Sequence, residues 1–418
     1  MKKDYEIALS YAHKDKEIAE IIKVELEDIF YDCFFMDELR PKELANASIF
    51  KDKLKNIFQR TNYSIILYSQ NYSEASFTYV EMEEILNKAK QEKEPHYFII
   101  NVNDCNLDKT LLDGYTYIGL QVNNKNDKNK KWIINSSVKK EIHKIIHGSI
   151  KMYMIEHSII EKKKENEYSL NIQTSFANGN LPTWLNDYDW NILGKCYIDE
   201  DGKKIKEDTT WEDFWKYIKE NFLAIKRILS KEPEVLLRLR FNCHLSIAYK
   251  LGQIYGDLRQ ASGNRNLELI SSNRVDDKKF LLEKKISDID ISDFCIEYEG
   301  NNCNSTDIVC IISITPSKSK NILEQVKNSL KKQGQDYYKI CLFQKEIIIE
   351  DSNTLESMAR YLRNRMEICK EDKYCIHLFA NTAAPLMFVL GARTIFSGVV
   401  KLYEYDMKEQ SYEMVLTN

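Results

Sequence analysis

The sequence predicts an α/β protein built on parallel sheets, and three observations predict it. Between residues 5 and 147, short apolar runs alternate with stretches whose apolar residues recur at helical spacing. From residue 181 to the end, a second region of strands and helices follows. Within that region a strand-then-helix unit near 236–252 recurs, weakly, near 376–391. Alternating strands and helices imply parallel strands joined by crossovers, with helices on both sheet faces. In such sheets ligands bind outside the carboxyl ends of the strands.

Composition bounds the function. The 418 residues are 30% charged and 43% hydrophobic, ordinary for a soluble chain of two or three domains. Sixty basic against 64 acidic side chains leave a net charge of −4, which speaks against a global grip on duplex DNA but not against a local basic pocket. Ten cysteines without a CxxC pair read as neither a disulfide scaffold nor a zinc site. None of the seven histidines stands in a HExxH-like or clustered set, so no metal is expected. The start, Lys2–Lys3 running into an alternating strand, has no signal-peptide core. The longest apolar window, Pro385 to Leu402, is interrupted by Gly391, Arg393 and Gly398 and reads as a buried helix and turn, not a membrane span. The expectation is a cytoplasmic protein.

The elements follow in order. Tyr5–Ser10 is a short strand, and Glu17–Ile29 a helix with Ile18, Ile21, Ile22, Leu26 and Ile29 on one face. Cys33–Met36 is a second strand, and Ser48–Phe58 a helix with Ser48 as N-cap. Tyr63–Tyr68, Tyr97–Val102 and Thr116–Val122 are further strands, with helices at Ala75–Lys90 and Ser136–Ile146. Residues 1–147 thus form one domain, and 148–180, with its EKKKENE run and polar Asn171–Asn180, a helix passing into a polar linker. In 181–418, Leu236–Leu239 and Ile376–Phe379 read as strands. Asn242–Ser246 and Asn381–Pro385 follow them, and helices end at Leu251–Gly252 and Leu390–Gly391. Amphipathic helices around Phe222–Leu229 and Leu355–Ile368 precede the two units, which suggests a pseudo-twofold domain. Small side chains at two helix starts, with Pro385 in a first turn, would leave backbone N–H groups facing an anion in a symmetric cleft.

The chemistry concentrates in Ser73–Glu81. Phe77 and Glu81 share a helix face near the end of a parallel strand, where a catalytic carboxylate would sit. This segment resembles a TIR domain. Ile7-Ala8-Leu9-Ser10-Tyr11 with Asp15 resembles the family's first box. Phe34 to Leu39 with Arg40-Pro41 resembles its second strand and the loop after it, and Ser76-Phe77 with Glu81 resembles the Ser-Trp…Glu motif of catalytic members, Phe77 standing for the usual Trp. The resemblance implies a flavodoxin-like parallel sheet and cleavage of NAD+ at the nicotinamide–ribose bond. Glu81 would be the catalytic carboxylate, with Ser10, Tyr11, Asp37 and Phe77 around the substrate. Because the leaving pyridinium is already cationic, one carboxylate can serve where glycosidases usually need two. The resemblance also implies that sites are completed across a neighbouring protomer through the loop around Asp37–Ala47.

The C-terminal region resembles a SAVED domain, a fused pair of CARF-like Rossmann units. The likeness is carried by His377-Leu378-Phe379-Ala380 through Leu390-Gly391, by Val399 to Tyr405, and by His244 to Gly252 in the first half. It implies binding of a cyclic di- or trinucleotide, for which Lys250, Ser313, Thr315, Asn381 and Thr382 are candidate contacts. Together the two resemblances predict an antiphage effector. A cyclic oligonucleotide would drive self-association into an oligomer or filament, and NAD+ would then be hydrolysed or cyclised as substrate, with no cofactor. The alternative is a non-catalytic TIR scaffold that assembles and recruits partners. A nuclease is disfavoured, because residues 1–150 offer no metal–carboxylate pattern and the acidic balance offers no DNA surface.

Overall fold

The computed structural model describes residues 5–27, 34–35, 50–75, 78–91, 96–106, 116–122, 132–162, 167–174, 190–193, 197–198, 204–205, 210–229, 235–262, 267–271, 278–282, 293–315, 321–370, 375–393, 398–406 and 409–417. The chain divides into two compact units, residues 1–158 and 159–418.

The first unit is one parallel sheet with helices packed against it. In chain order it comprises β1 (Tyr5–Tyr11), α1 (Lys16–Glu27), β2 (Phe34–Phe35), α2 (Phe50–Gln59), β3 (Thr61–Tyr68), α3 (Gln70–Glu74) and α4 (Thr78–Gln91). Then come β4 (Tyr97–Val102), β5 (Ile118–Leu120), α5 (Ser136–Ile145) and α6 (Lys151–Lys162). The strand order is β2-β1-β3-β4-β5, all parallel, which is the flavodoxin-like order. β3 is central and buried from Tyr63 to Tyr68, so its side chains read as a continuous apolar run. Against it pack Leu54, Phe58, Tyr72, Met82, Ile85 and Leu86 from the helices.

Two elements differ from the sequence reading. The helix expected at Ala75–Lys90 is α4, beginning at Thr78, and a short α3 that the sequence reading did not include precedes it; the Thr78 hydroxyl bonds the carbonyls of Tyr72 and Ala75 at the turn. The helix closing at Ile146 runs on, through a π-helical stretch Ile146–Ile150, into α6. Ser48, the expected N-cap, lies outside the described residues.

The second unit contains β6 (Glu167–Gln173), β7 (Trp190–Leu193), the small antiparallel pair β8 (Tyr197–Ile198) and β9 (Lys204–Ile205), and α7 (Trp211–Leu229). β10 (Leu236–Asn242), α8 (Leu245–Ser262), β11 (Leu267–Ser271) and β12 (Lys278–Leu282) complete the first half. The second half holds β13 (Cys295–Glu299), β14 (Asp307–Thr315), α9 (Ile322–Lys332), β15 (Lys339–Glu346), α10 (Ser352–Lys370), β16 (Cys375–Asn381), α11 (Ala384–Arg393), β17 (Val399–Asp406) and β18 (Ser411–Thr417).

The strand Glu167–Gln173 falls inside the stretch read as polar linker. Its Asn171 and Gln173 are fully buried in the sheet beside β10, so their polarity misled the reading. The expected repeat is present in the topology. One sheet runs β12-β11-β10-β6-β7, and the other, read from its far edge, β18-β17-β16-β14-β15-β13. In both halves a 19-residue helix precedes the seven-residue strand that leads into the packed helix. Helices α8 and α11 continue past the glycines expected to end them. These glycines instead make the helix crossing. A Cβ on Gly252 would stand 2.0 Å from the Phe388 carbonyl oxygen, and one on Gly391 2.0 Å from the Tyr249 carbonyl oxygen. Gly252 and Gly391, and likewise Tyr249 and Phe388, are repeat mates at one constant offset, so the contact is reciprocal, as across a twofold axis. Among the described residues, no helix is long and apolar enough to cross a membrane.

Candidate functional site

In the first unit the strand order reverses between β1 and β3, and chemistry gathers at their carboxyl ends. Ser69, just past β3, accepts a hydrogen bond from the Tyr72 N–H at 3.1 Å and so caps α3. That turn brings Tyr72 back over β1. Glu81 lies in the first turn of α4, where the helix dipole favours a carboxylate, and is 8% exposed. The Ser10 hydroxyl, at the end of β1, donates to Glu81 Oε2 at 2.5 Å. Ser10 Oγ also lies 2.7 Å from the Tyr72 hydroxyl, which donates to the Thr78 carbonyl at 3.0 Å. Burial, and then the nearby Glu81 charge, push the Tyr72 phenol well above its ordinary value, so it stays a neutral donor. One carboxylate oxygen is thereby fixed by a strand hydroxyl that a tyrosine in turn supports.

A second buried carboxylate braces the same loop. Asp15, fully buried, accepts from Ser69 Oγ at 2.5 Å, Asn71 Nδ2 at 2.6 Å and the Trp132 indole N–H at 2.7 Å. These bonds hold the turn that presents Tyr72. Sequence reading placed Ser10 and Glu81 in one site, and the structure brings them into contact. It missed Tyr72, whose only signal was its place three residues after a capping serine. Tyr11 is buried beside Ser10 on β1, while Asp37, Phe77 and the Asp37–Ala47 loop lie outside the described residues.

The reading that no histidines cluster is corrected. His143 and His147, one turn apart, converge on Glu25 of α1, with His143 Nδ1 2.9 Å and His147 Nε2 3.1 Å from Glu25 Oε2. The buried Lys151 ammonium sits 3.1 Å from His147 Nε2. Burial opposes the Glu25 charge, but hydrogen bonds from both histidines hold its carboxyl well below the usual carboxylate range. Burial first, then Lys151 and His143, push His147 down to about 4. The lysine supplies the positive charge here, making this an ion-pair cluster. The signal was three-dimensional, since Glu25 comes from a distant helix.

In the second unit a cavity of about 350 Å³ opens between the carboxyl ends of strands from both halves. Thr315 at the end of β14 and Thr382 just after β16 line it, with Asn242 and Ser271 from the first half and Lys278 as its cation. The Thr382 hydroxyl is buried without a hydrogen-bond partner, as is that of Ser313, two residues below Thr315 on β14. Asn381 is the exposed last residue of β16, in register with Ser313. Lys250 is not in this cavity. Five positions along α8 from the cavity-lining Leu245, it points roughly 140° around the helix, donates to the Thr417 carbonyl at 3.3 Å and lies over the Trp215 ring. Sequence reading missed Ser271 and Lys278, which come from strands outside the repeated unit.

The expected symmetric anion cradle is also corrected. In the first half the Ser246 N–H at the start of α8 donates to Glu404 Oε1 at 2.7 Å, a carboxylate supplied by β17 of the other half. Burial pushes the Glu404 carboxyl up, and the helix-start N–H groups offset this. The mate of Ser246 is Pro385, which has no N–H. The two helix starts are therefore chemically unlike.

Fold and sites together define a protein in which a flavodoxin-like unit is joined to a fused pair of Rossmann-like halves with a cavity between them. Residues 7–133 match the TIR domain family, and residues 223–417 match the SAVED family, described as the SMODS-associated sensor domain fused to various effectors. The chain is a TIR–SAVED fusion. Similar solved structures include the Cap4 SAVED/CARF-domain containing receptor of Acinetobacter baumannii with the cyclic trinucleotide 3'3'3'-cAAA. It shares 15% identity at TM-score 0.42, over 89% of this chain and 86% of that one. The Moraxella osloensis Cap4 receptor shares 12% identity at TM-score 0.39, over 89% and 85%. A TIR-STING receptor from C. gigas with 2',3'-cGAMP shares 13% at TM-score 0.24, over 57% and 91%. A search of curated proteins finds no match.

Proposed function

We propose that this chain is a cyclic-oligonucleotide-activated NAD+ glycohydrolase that acts in the cytoplasm as an antiphage effector. The observation that carries this reading is the buried Glu81, oriented by Ser10 and Tyr72 at the switch point of a TIR sheet, in a chain that also carries a SAVED sensor.

The reaction breaks the bond between nicotinamide and ribose C1. The bonding pair leaves with nicotinamide, which departs neutral and needs no proton. Positive charge develops on the ribose, and a carboxylate held within a few ångströms stabilises it. Glu81 fills that role, with a carboxylate oxygen accepting from a ribose hydroxyl. Ser10 restricts its rotation, so the charge is positioned before substrate arrives. Water, or the adenine of the same nucleotide, then attacks C1, giving ADP-ribose or a cyclic isomer. Phe77 and Asp37 join the substrate contacts by their place in the family motif.

In the sensor, a cyclic di- or trinucleotide occupies the cavity lined by Thr315, Thr382 and Lys278. Its binding favours self-association, and neighbouring TIR domains complete one another's sites. The test is nicotinamide release by the purified full chain with and without a panel of cyclic di- and trinucleotides, beside Glu81→Gln. Activity that needs both a ligand and Glu81 supports the reading. Equal turnover by wild type and Glu81→Gln ends the assignment of Glu81. Ligand-independent turnover ends the switch, and ligand-driven assembly without nicotinamide release returns the protein to the scaffold class.

A further inference from the structure

Four sulfur-bearing residues of the second half converge with a glutamate on one face of their sheet, away from the nucleotide cavity. β13 pairs antiparallel with β15 and sets Glu297 opposite Cys341, while β15 pairs with β14 and sets Cys310 beside Cys341. Cross-strand partners project to the same side. Cys295, two residues from Glu297, shares that side by the strand period. Cys369, in the last turn of α10, reaches the same spot, its Sγ 3.4 Å from Glu297 Oε1. One ligand atom each from Cys295, Glu297, Cys341 and Cys369 lie within 4.8 Å of one another.

We propose that Cys295, Glu297, Cys341 and Cys369 form a tetrahedral site for a single thiophilic divalent cation of the zinc class. Three soft sulfurs with one carboxylate are a zinc-type donor set. Zinc–sulfur bonds of about 2.3 Å in a tetrahedron put sulfurs roughly 3.8 Å apart, so loading needs a contraction of about 1 Å or less from the observed limit. The surroundings fit a loaded site. Lys339 Nζ stands 3.4 Å from Glu297 Oε2 and offsets part of the excess negative charge of three thiolates and a carboxylate. The fully buried Cys310 is hydrogen-bonded to Cys341 and supports that ligand from behind. Cys341 and Cys369 are buried, whereas Glu297 is exposed on the edge strand β13 and gives an ion its way in.

Zinc binds cysteine as the thiolate, so loading releases protons and affinity rises with pH. The ion would pin an edge strand and a helix end to the sheet. The cysteines come from three elements far apart in sequence, which is why no CxxC spacing announced them.

The experiment uses the full chain grown with added zinc. Inductively coupled plasma mass spectrometry should find about one zinc per chain. Replacement by cobalt(II) should give a thiolate-to-metal charge-transfer band. The double variant Cys295→Ser/Glu297→Gln alters only the accessible edge strand and keeps the fold checkable by circular dichroism. It should lose at least about 10-fold in cobalt affinity, the lower bound even for an outer-sphere partner. Cys303→Ser, an exposed thiol outside the cluster, should change nothing. Wild type that takes up neither zinc nor cobalt, or a folded double variant that binds cobalt as wild type does, overturns the site. So does an intact mass showing these cysteines oxidised to a disulfide. None of these readouts depends on NAD+ turnover.

Discussion

The two sites treat their polar atoms in opposite ways. At the mouth of the TIR sheet, Ser10 donates to Glu81 and Tyr72 to the Thr78 carbonyl, and Asp15 braces the loop with three further bonds. At the SAVED cavity the Thr382 hydroxyl on the lining and the Ser313 hydroxyl beneath Thr315 are buried without partners. The first arrangement spends stability in advance on a fixed charge. The second leaves donors to be satisfied by whatever enters. A reacting group must be oriented before the reaction, since orientation lowers the barrier only if substrate need not supply it. A sensor gains from the reverse, because bonds made only with ligand bound create the affinity difference that drives a switch.

That contrast can be broken by substitution. The largest expected effect is Glu81→Gln, which should lower nucleotide-stimulated nicotinamide release by about 1,000-fold, the upper range for removing one electrostatic stabiliser, while leaving ligand binding by calorimetry unchanged. A fall in both would mean the two units share more than a switch.

Next is Gly391→Ala, whose added Cβ would meet the Tyr249 carbonyl oxygen. It should destabilise the sensor unit by about 3 kcal/mol in urea unfolding and abolish nucleotide binding. An unchanged transition would mean that the halves separate easily.

A comparable shift comes from pH. His147 is held down to about 4, against about 6.5 in an unfolded chain, so its neutral form stabilises the fold. That contribution is full above pH 6.5 and is lost as pH falls from 6.5 toward 4, on the order of 3 kcal/mol in all. Unfolding midpoints measured across that window should fall on acidification, and less steeply in His147→Gln. Equal slopes would locate the acid sensitivity elsewhere.

Ser10→Ala would remove the hydroxyl that donates to Glu81 Oε2, at about 2 kcal/mol of stability. Thr382→Val should do the reverse. It replaces an unpartnered hydroxyl, so the ligand-free protein should be as stable or slightly more so, while nucleotide affinity falls by roughly 5-fold, the worth of about one hydrogen bond. If Ser10→Ala is neutral and Thr382→Val destabilises, the comparison is wrong way round.

Much of the fold was legible because it rests on periodicity. Tyr97–Val102 appears as expected, and the recurrence around Asn242 and Asn381 corresponds to two halves with matching strand order. Glu81 and Ser10 were legible because each lies in a short local motif. What escaped depends on distance or direction. β6 carries Asn171 and Gln173 into the sheet centre, and burial of polar residues leaves no hydrophobic trace. Lys250 was near the right residues in sequence but on the wrong side of its helix. Glu25, His143 and His147 meet only once two helices pack, and Lys278 reaches the cavity from a strand the repeat did not flag.

The reciprocal glycine crossing also sets how the sensor unit comes into being. Each glycine is filled by the backbone of a helix in the other half, so the Gly252 face of α8 stays uncovered until α11 has been made. The pairing has a long sequence separation, and such contacts form late. During synthesis the first half must therefore leave the ribosome with the apolar face of α8 uncovered, a state open to chaperones and to wrong pairing with another nascent copy. The symmetry that makes the mature cavity makes the growing chain wait for its own C-terminus.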